Sequence, residues 1–488
     1  MALNGEVIGL MVTASHNPEG DNGVKMVDPH GEMLEPAWEP VCTKVANAST
    51  PEELIQELDA IVKQFNISLD VQPRIVYAWD TRPSSTSLVG AIVDGLQVFN
   101  SEKIEGGLLT TPQLHYLVLS LNAVHTKDAY GVPTEQGYYE KLAKAYLAAT
   151  DGLPSPPPLV VDCANGVGAK ALQGLIKCLP KDRLSLIPLR TDTKTQGQLN
   201  NGCGADFVKT RQRLPEGYTK ESLEPNELLC SFDGDADRIV FYYLSGPASD
   251  SASFHLLDGD KIASLAADYL SELVAKAKLD IKLGCVQTAY ANGASTVYLQ
   301  QRVPVSCTPT GVKHLHHEAA KYAIGVYFEA NGHGTVLFSK EAREAIQNAD
   351  PSDREQKEAV KRLANLAELI NQTVGDAISD MLMVLAILSA HKWGPKEWDA
   401  AYQDLPNRLL KVQVADRTVF KTTDAERKLT SPSGLQAKID NLVAKFPRGR
   451  SFVRPSGTED CVRVYAEAAS SDDAEKLGQE VAQAVRDA

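Results

Sequence analysis

Short apolar runs alternate along this chain with segments of helical spacing, and this alternation restricts the folds that it can adopt. The runs Val7–Val12, Arg74–Trp79, Pro158–Asp162 and Leu228–Phe232 have the composition of buried strands. Helical spacing of apolar residues lies between them, for example in Pro51–Phe65. Strands that alternate with helices favour α/β domains with largely parallel sheets. We therefore predict an α/β protein.

Three breaks divide the 488 residues, a length that favours about three domains. Asp151–Pro158 has four prolines in eight residues, which neither a helix nor a central strand tolerates. Ser245–Ser253 is small and polar, and His391–Pro406 is rich in turn residues. We predict four domains, formed by residues 1–155, 156–250, 251–395 and 396–488.

The charge balance and the cysteines limit the partners and the compartment. The chain has 49 basic and 63 acidic residues, a net charge of −14, so nucleic acid and anionic membranes are poor partners for it. No stretch reaches the roughly 18 apolar residues of a membrane span. None of the eight cysteines has CxxC spacing, and scattered cysteines are typical of a reducing compartment. We expect a cytoplasmic protein with no membrane or nucleic-acid partner.

A polar segment, Thr13–Pro18, directly follows the first apolar run. Side chains at the carboxyl end of a strand line the ligand sites of α/β sheets, so Ser15 is a candidate nucleophile. His16 is not automatically its base, because adjacent residues of an extended chain point apart. The alternative is a Ser/Thr turn closed by Asn17 and Pro18.

Three carboxylates stand at alternate positions in Asp233–Arg238, between two apolar runs. Oxygen ligands of this kind suit Mg²⁺, and like charges so close together repel without a cation. An EF-hand is excluded because its sixth and twelfth positions would be Arg238 and Leu244 instead of Gly and Glu. The alternative is a solvated acidic loop.

Two further loops have ligand-binding composition. The turn Arg454–Asp460 begins with one arginine and is followed by another, Arg463. The two guanidinium groups, with the hydroxyls and backbone N–H groups of the turn, could form an anion site. The alternative is a polar surface turn. Glu329–Gly334 follows the apolar run Ile324–Phe328 and offers a carboxylate and an amide for sugar hydroxyls. The alternative there is a loop without a ligand.

Histidines at 314, 316 and 317 match no zinc motif, and we expect them on a solvated helix face.

Taken together, these motifs resemble the α-D-phosphohexomutase family. The resemblance rests on stretches distributed over nearly the whole chain: Met11–Asn17, Asp21–Leu34, Asp233–Arg238, Thr310–His317, Glu329–Gly334 and Arg454–Arg463. It implies three mixed-sheet α/β domains and a C-terminal α+β domain around a central cleft. Members that act on simple hexose phosphates typically read Glu-x-Ser-Gly-His at the sugar loop. Asn331 replaces that Ser here, which favours an N-acetylated sugar.

The resemblance implies an activity and a set of roles. The activity is interconversion of N-acetylglucosamine 6-phosphate and N-acetylglucosamine 1-phosphate through a phosphoserine and a sugar 1,6-bisphosphate, in UDP-N-acetylglucosamine biosynthesis. Ser15 would carry the phosphate and hold one Mg²⁺ with Asp233, Asp235 and Asp237. The general acid or base would be Lys25 or His16; Lys25 is favoured because Arg238 and the metal could lower its pKa. The implied substrate-binding residues are Arg238, Thr310, Gly311, Glu329, Ala330, Asn331, Arg454, Pro455, Ser456, Gly457, Thr458 and Arg463.

Other functions stay open at this point. A phosphoglucomutase or phosphomannomutase has the same fold, and a sugar-phosphate-binding protein without catalysis is a further alternative. Family members normally carry a Tyr-Gly-Thr-Ala-Gly-Phe-Arg-type motif and a helix before the serine loop, which begins here at Thr13. This departure predicts weak or no turnover by the chain. We expect a small-molecule sugar phosphate as partner, and a monomer or weak homodimer.

Overall fold

The computed structural model describes residues 5–126, 129–218, 223–247, 253–456 and 460–488. The chain forms two compact units. The first comprises Met1–Leu256 and Asn365–Lys392, and the second comprises Leu257–Ala364 and Trp393–Ala488.

Strands and helices alternate through most of both units. The strands are β1 (Val7–Val12), β2 (Val24–Val27), β3 (Arg74–Trp79), β4 (Glu102–Leu108), β5 (Leu159–Asp162), β6 (Leu186–Leu189), β7 (Leu229–Phe232), β8 (Ile239–Leu244), β9 (Phe254–Leu257), β10 (Leu283–Thr288), β11 (Val305–Thr308), β12 (Ile324–Phe328), β13 (Gly334–Phe338), β14 (Asn407–Gln413), β15 (Lys421–Thr423), β16 (Lys428–Ser431), β17 (Arg450–Pro455) and β18 (Cys461–Glu467). The α-helices are α1 (Glu39–Ala46), α2 (Pro51–Gln64), α3 (Ser85–Val98), α4 (Thr111–Ala123), α5 (Glu135–Ala149), α6 (Gly168–Cys178), α7 (Ala205–Arg211), α8 (Gly259–Ala277), α9 (Gly293–Gln300), α10 (Val312–Ala319), α11 (Lys340–Gln347), α12 (Arg354–Leu369), α13 (Ala377–His391), α14 (Pro395–Asp399), α15 (Leu435–Val443) and α16 (Ser471–Arg486).

The first unit contains two mixed sheets. One has the strand order β2-β1-β3-β4, in which β1, β3 and β4 are parallel and β2 is antiparallel to β1. The other has the order β6-β5-β7-β8-β9, in which β5, β6 and β7 are parallel and β8 is antiparallel to β7. The parallel strands β1 and β3 place the residues that follow them at one edge of the first sheet.

The second unit contains a third mixed sheet and an antiparallel one. In the order β11-β10-β12-β13, the strands β11, β10 and β12 are parallel and the edge strand β13 is antiparallel to β12. The strands β14, β18 and β17 form an antiparallel sheet, and β15 pairs with β16 in a separate hairpin. The predicted α/β class with mixed sheets and a C-terminal α+β region is confirmed. The four-domain boundaries and the central cleft stay predictions.

Local sequence accounts for several of these elements. Thr50 caps α2 by accepting a hydrogen bond from Glu53 N, and Thr110 with Gln113 forms a capping box on α4. In α16 the buried residues recur at helical spacing, as in Leu477 and Val481, and pack against the C-terminal sheet. Helix α13 is apolar over most of its circumference, apart from the buried residues Ser379, Asp380 and Ser389, and is almost entirely buried, as such a helix must be.

The predicted strands and helices agree closely with the structure. Val7–Val12, Arg74–Trp79 and Ile324–Phe328 are β1, β3 and β12 without change, and Pro51–Phe65 exceeds α2 by one residue. Asp151–Pro158 contains no helix or strand, as its prolines require. Among the described helices, none combines the length and the apolar character that crossing a bilayer requires.

Candidate active site

The serine loop begins where β1 ends. Thr13 Oγ accepts a hydrogen bond from Ser15 N at 3.0 Å and donates one to Asp80 Oδ2 at 2.7 Å. Ser15 has a φ of +52°, in the left-handed region that non-glycine residues rarely adopt. Such a conformation persists only where the surroundings impose it, and it is typical of functional sites.

Two side chains that the sequence analysis missed hold this loop. Arg82 donates to the backbone oxygens of Ser15 (3.1 Å) and Asn17 (2.8 Å), and its guanidinium forms an ion pair with Asp80. Asn200 donates to the same two oxygens at 3.0 and 3.2 Å. A signal for Asp80 and Arg82 was present, because they follow β3, which is the parallel neighbour of β1. Residues that follow neighbouring parallel strands meet at one sheet edge.

The metal loop begins where β7 ends, in the turn to β8. Asp233 Oδ1 accepts hydrogen bonds from Asp237 N at 3.1 Å and Arg238 N at 3.2 Å, which folds the loop back on itself. One oxygen each of Asp233, Asp235 and Asp237 lies within 4.8 Å of the others, and all three residues are buried. The loop therefore presents three carboxylates to one point.

Glycine is required at position 234 because other atoms lie too close to leave room for a Cβ atom, and not because the backbone there is left-handed. A Cβ atom there would lie 2.7 Å from Ser15 O and 2.9 Å from Asn200 Nδ2, closer than real Cβ atoms come. Gly234 does not have a positive φ; the left-handed residue of the loop is Ala236, with a φ of +57°. The glycine thus allows the metal loop to lie directly against the serine loop.

The serine and metal loops converge on one cluster, as the sequence analysis predicted for Ser15 and Asp235. Ser15 Oγ donates to Asp235 Oδ1 at 2.8 Å and lies 3.2 Å from Asp237 Oδ2. Lys25 Nζ donates to Ser15 Oγ at 3.0 Å and to both carboxylates at 2.9 Å. Thr111, which the sequence analysis missed, donates from Oγ1 to Asp235 Oδ2 at 2.5 Å.

Two carboxylates dominate the electrostatics of Lys25. Burial alone would lower the pKa of Lys25, but the carboxylates of Asp235 and Asp237 outweigh it and the pKa is raised. The expectation that Arg238 and a bound metal lower the pKa of Lys25 stays a prediction. Burial, and then the charge of Arg238, lowers the pKa of His16, which favours a neutral imidazole.

The cluster fits a divalent cation. Burial, and then repulsion from Asp237 and Asp235, raises the pKa of Asp233 well above its usual range. Among the described residues, Asp233 Oδ2 has no hydrogen-bond donor although it is buried. A cation would satisfy this oxygen and relieve the repulsion. The Lys25 ammonium already supplies positive charge at the same carboxylates.

The predicted sugar-loop residues lie in the second unit. Gly311 N donates to Glu329 Oε1 at 3.2 Å, and Asn331 Nδ2 lies 3.4 Å from Glu329 Oε2. Asn331 Oδ1 accepts from His333 N at 3.0 Å, and Ala330 lies in the same tight turn between β12 and β13. The structure therefore brings Gly311, Glu329 and Asn331 together.

The predicted phosphate turn lies between β17 and β18. Arg454 and Arg463 face each other across these strands, and like charges directly opposite are unfavourable unless an anion neutralises them. Pro455 ends β17, and Ser456 N donates to Cys461 O at 2.9 Å. Gly457 and Thr458 lie outside the described residues.

One carboxylate links this turn to Thr310. Glu426, a residue that the sequence analysis missed, accepts hydrogen bonds from Thr310 N (2.9 Å), Thr310 Oγ1 (2.6 Å) and Arg454 Nε (3.1 Å). It lies in the tip of the β15–β16 hairpin, and no local motif marks it.

The histidines of α10 correct a further expectation. His316 is buried and its Nδ1 lies 3.0 Å from the Tyr327 hydroxyl, so the three histidines do not share a solvated face. The i, i+1 spacing of His316 and His317 places them on different sides of the helix.

Comparisons with known proteins agree with this geometry. Residues 258–393 and 128–240 match the family models "Phosphoacetylglucosamine mutase AMG1, domain III" and "domain II". Residues 409–484 match "Phosphoglucomutase/phosphomannomutase, C-terminal domain", and residues 4–53 match "alpha/beta/alpha domain I" of the same group.

Individual relatives are similar over nearly the whole chain. The phosphoacetylglucosamine mutase of Sus scrofa is 51% identical over 98% of this chain and 87% of its own length. A structure of Aspergillus fumigatus N-acetylphosphoglucosamine mutase in complex with GlcNAc-6P and magnesium is 51% identical, with a TM-score of 0.94 and coverage of 99% of this chain and 90% of that chain. A second structure of the Aspergillus enzyme, in complex with glucose 1,6-bisphosphate, has a TM-score of 0.93, 51% identity and coverage of 99% and 89%.

Because relatives about half identical to it align with nearly all of its residues, and because the models of individual domains match in order along it, the chain belongs to the phosphoacetylglucosamine mutase family.

Proposed function

We propose that this protein interconverts N-acetylglucosamine 6-phosphate and N-acetylglucosamine 1-phosphate and so supplies UDP-N-acetylglucosamine biosynthesis. The observation that carries the proposal is the position of Ser15 Oγ, 2.8 Å from Asp235 Oδ1 and 3.0 Å from Lys25 Nζ. A hydroxyl held between a metal-type carboxylate cluster and an ammonium suits a phosphoryl carrier, since phosphoryl transfer depends on positioning and charge neutralisation.

The relatives support the substrate. The Aspergillus enzyme, which is half identical to this chain, was solved with GlcNAc-6P and magnesium, and with glucose 1,6-bisphosphate. Asn331 within the sugar loop is the feature of this chain that favours an N-acetylated sugar over a simple hexose.

Ser15 is the phosphoryl carrier in this proposal. The Oγ–P bond of phosphoserine breaks while a sugar hydroxyl forms a new P–O bond, which yields a sugar 1,6-bisphosphate. The hydroxyl's proton passes to a base, for which the neutral imidazole of His16 is the candidate in these surroundings. The Lys25 ammonium is the candidate acid toward Ser15 Oγ as the Oγ–P bond breaks. Transfer of the other phosphate back to Ser15 Oγ completes the exchange, so that no phosphate is gained or lost.

One Mg²⁺ would be held by Asp233, Asp235 and Asp237 together with Ser15. Bound there, it supplies charge neutralisation for the transferred phosphoryl group. The chain's own residues do the rest of the positioning: Arg82 and Asn200 hold the backbone of the serine loop, and Thr111 orients Asp235.

The remaining roles concern the substrate. Glu329 and Asn331, with Gly311 and Ala330, would bind the sugar hydroxyls. Arg238 and Thr310 would contribute polar contacts to the same substrate. The turn with Arg454, Pro455, Ser456, Gly457, Thr458 and Arg463 would bind the phosphate that is not reacting, because guanidinium groups match phosphate oxygens. We further propose that the protein acts in the cytoplasm as a monomer or weak homodimer.

The experiment compares Ser15→Ala with the wild-type chain by intact mass and by mutase activity. The wild-type rate also tests the prediction, made from the residues before the serine loop, that turnover is weak. We expect the wild type to carry one phosphoryl group on Ser15, and the variant to lose both that group and the interconversion. Ser87→Ala, in exposed helix α3, is the matched control and should change neither. Activity retained by Ser15→Ala would overturn the phosphoserine mechanism.

Substrate choice is tested separately. We expect a higher kcat/KM for N-acetylglucosamine 6-phosphate than for glucose 6-phosphate. A preference for glucose 6-phosphate would instead support a phosphoglucomutase.

A further inference from the structure

The side chain of Glu426 fills an anion-binding position in the second unit. Its carboxylate accepts two hydrogen bonds from Thr310, through the backbone N at 2.9 Å and Oγ1 at 2.6 Å. Its other oxygen accepts from Arg454 Nε at 3.1 Å. Three donors that converge on one carboxylate are the donor set that a phosphate or a sugar oxyanion would also use.

The surroundings favour an anion at this point independently of Glu426. Thr310 precedes Gly311, the N-cap residue of α10, and backbone N–H groups and the helix dipole near a helix N-terminus attract negative charge. Arg454 lies opposite Arg463 across β17 and β18, and Arg463 in turn lies opposite Lys411 on β14. Arg454 is thus one of three basic residues that lie in a row across this sheet.

The carboxylate comes from a separate element. Glu426 belongs to the turn between β15 and β16, which is not part of the sheet that carries Arg454. Its side chain is 17% exposed and that of Arg454 is 21% exposed, so a small anion can reach the donors if the carboxylate moves away.

We propose that Glu426 is an internal competitor for the substrate's phosphate, and that the sugar phosphate displaces its carboxylate from Thr310 and Arg454 on binding. The inference rests on the proposed function, because it takes Arg454 as a phosphate ligand. In the absence of substrate the carboxylate keeps Arg454 and Thr310 paired and oriented. The affinity for the sugar phosphate is reduced by the contacts that must first be broken.

The test measures the dissociation constant of N-acetylglucosamine 6-phosphate by calorimetry, in a Ser15→Ala background that prevents phosphoryl transfer. Glu426→Gln keeps the shape but loses the charge, so we expect binding about tenfold tighter, equivalent to about 1.4 kcal/mol. The matched control is Glu475→Gln, which also removes a carboxylate bound to an arginine Nε, that of Arg408, and should leave the affinity unchanged.

A double-mutant cycle separates competition from a general effect on folding. In an Arg454→Met background the competing contact is already weakened, so the gain from Glu426→Gln should largely disappear. A full gain in that background would contradict displacement from Arg454. Equal or weaker binding by Glu426→Gln alone would also overturn the inference, since it would make Glu426 neutral or a ligand of the sugar.

Inorganic phosphate is the second probe and distinguishes the two proposals. If the Ser15→Ala protein binds phosphate but not the sugar phosphate, the proposed function is contradicted. The competitor role of Glu426 then still requires that adding Glu426→Gln to the Ser15→Ala protein tightens its binding of phosphate. Phosphate binding that Glu426→Gln leaves unchanged, or that neither chain shows, would overturn the competitor role.

Discussion

At the scale of single residues, the site is defined by one ammonium shared among three oxygens. Lys25 Nζ lies 2.9 Å from carboxylate oxygens of Asp235 and of Asp237 and 3.0 Å from Ser15 Oγ. It thus neutralises the carboxylates that would hold Mg²⁺ and also contacts the hydroxyl that would carry phosphate. The first effect weakens metal binding, whereas the second supports catalysis.

Replacement of Lys25 by Met should therefore strengthen Mg²⁺ binding while it weakens catalysis. Removal of the ammonium leaves two carboxylates available to the cation, so we expect the Mg²⁺ dissociation constant to fall at least about tenfold, given the strength of charge interactions at such distances. Loss of the proton donor to Ser15 should lower kcat by about 100-fold. Calorimetric titration with MgCl₂ measures the dissociation constant, and steady-state kinetics measure kcat.

Lys63→Met is the control, because Lys63 is an exposed residue of α2 in the same unit. It should alter neither quantity. Weaker Mg²⁺ binding by Lys25→Met would mean that the ammonium supports the cation site instead of competing for it.

At the scale of elements, two parallel strands and the loops that follow them build the serine site. β1 leads into Ser15, and β3 leads into Asp80 and Arg82. The Asp80–Arg82 pair is fully buried and joins the two loops. The Ser15 backbone is held in its left-handed conformation by hydrogen bonds from the second loop to the first.

Arg82→Met should therefore cost both stability and phosphorylation. Removal of one partner leaves Asp80 buried without its counter-charge, which typically costs about 3–5 kcal/mol. Urea unfolding should show this loss, and intact mass should show less phosphoserine at Ser15.

The double variant Asp80→Asn, Arg82→Met separates these effects. It removes the unpaired charge, so we expect most of the stability to return. Phosphorylation of Ser15 should stay low, because only Asn200 then donates to Ser15 O and Asn17 O and the hydrogen bonds from Arg82 are not replaced. Recovery of normal phosphoserine in the double variant would show that Arg82 contributes stability alone.

At the scale of the whole molecule, helix α13 contributes a buried acidic residue, Asp380, to the first unit. Asp380 is fully buried, and neither of its carboxylate oxygens has a hydrogen-bond partner among the described residues. Burial, and then the charge of Asp376, raises the pKa of Asp380 well above its usual value. An acid whose pKa is raised on folding destabilises the fold as the pH rises above its unfolded pKa.

Asp380→Asn should stabilise the protein at neutral pH. The neutral amide keeps the shape but never ionises, so the gain should be about 1.4 kcal/mol for each unit by which the pKa is raised, up to the working pH. Below about pH 3 the carboxyl is largely protonated in both states, and the difference should vanish. Thermal unfolding of the variant and the wild type across this pH range measures the difference in stability. If Asp380→Asn is less stable than the wild type at every pH, ionisation of Asp380 does not destabilise the fold.

Sequence patterns predicted most of the local structure and part of the site. The limits of β1 and β3 followed from runs of apolar residues, and the spacing of Asp233, Asp235 and Asp237 indicated a cation site. The burial of His316 was missed because it depends on Tyr327, a residue of the neighbouring strand. Thr111 and Glu426 were missed because Asp235 and Thr310, which they respectively contact, are more than a hundred residues away from them.

The sequence by itself determined the alternation of strands and helices, the turns and the chemical character of each loop, because these depend on neighbouring residues. Only the tertiary structure decided that Thr111 meets Asp235, 124 positions later, that Arg82 holds the serine backbone, and that Glu426 occupies Thr310 and Arg454. The physical reason is that such contacts depend on how sheets pack and where strands end, and these positions are set by the burial of the whole core rather than by any local pattern.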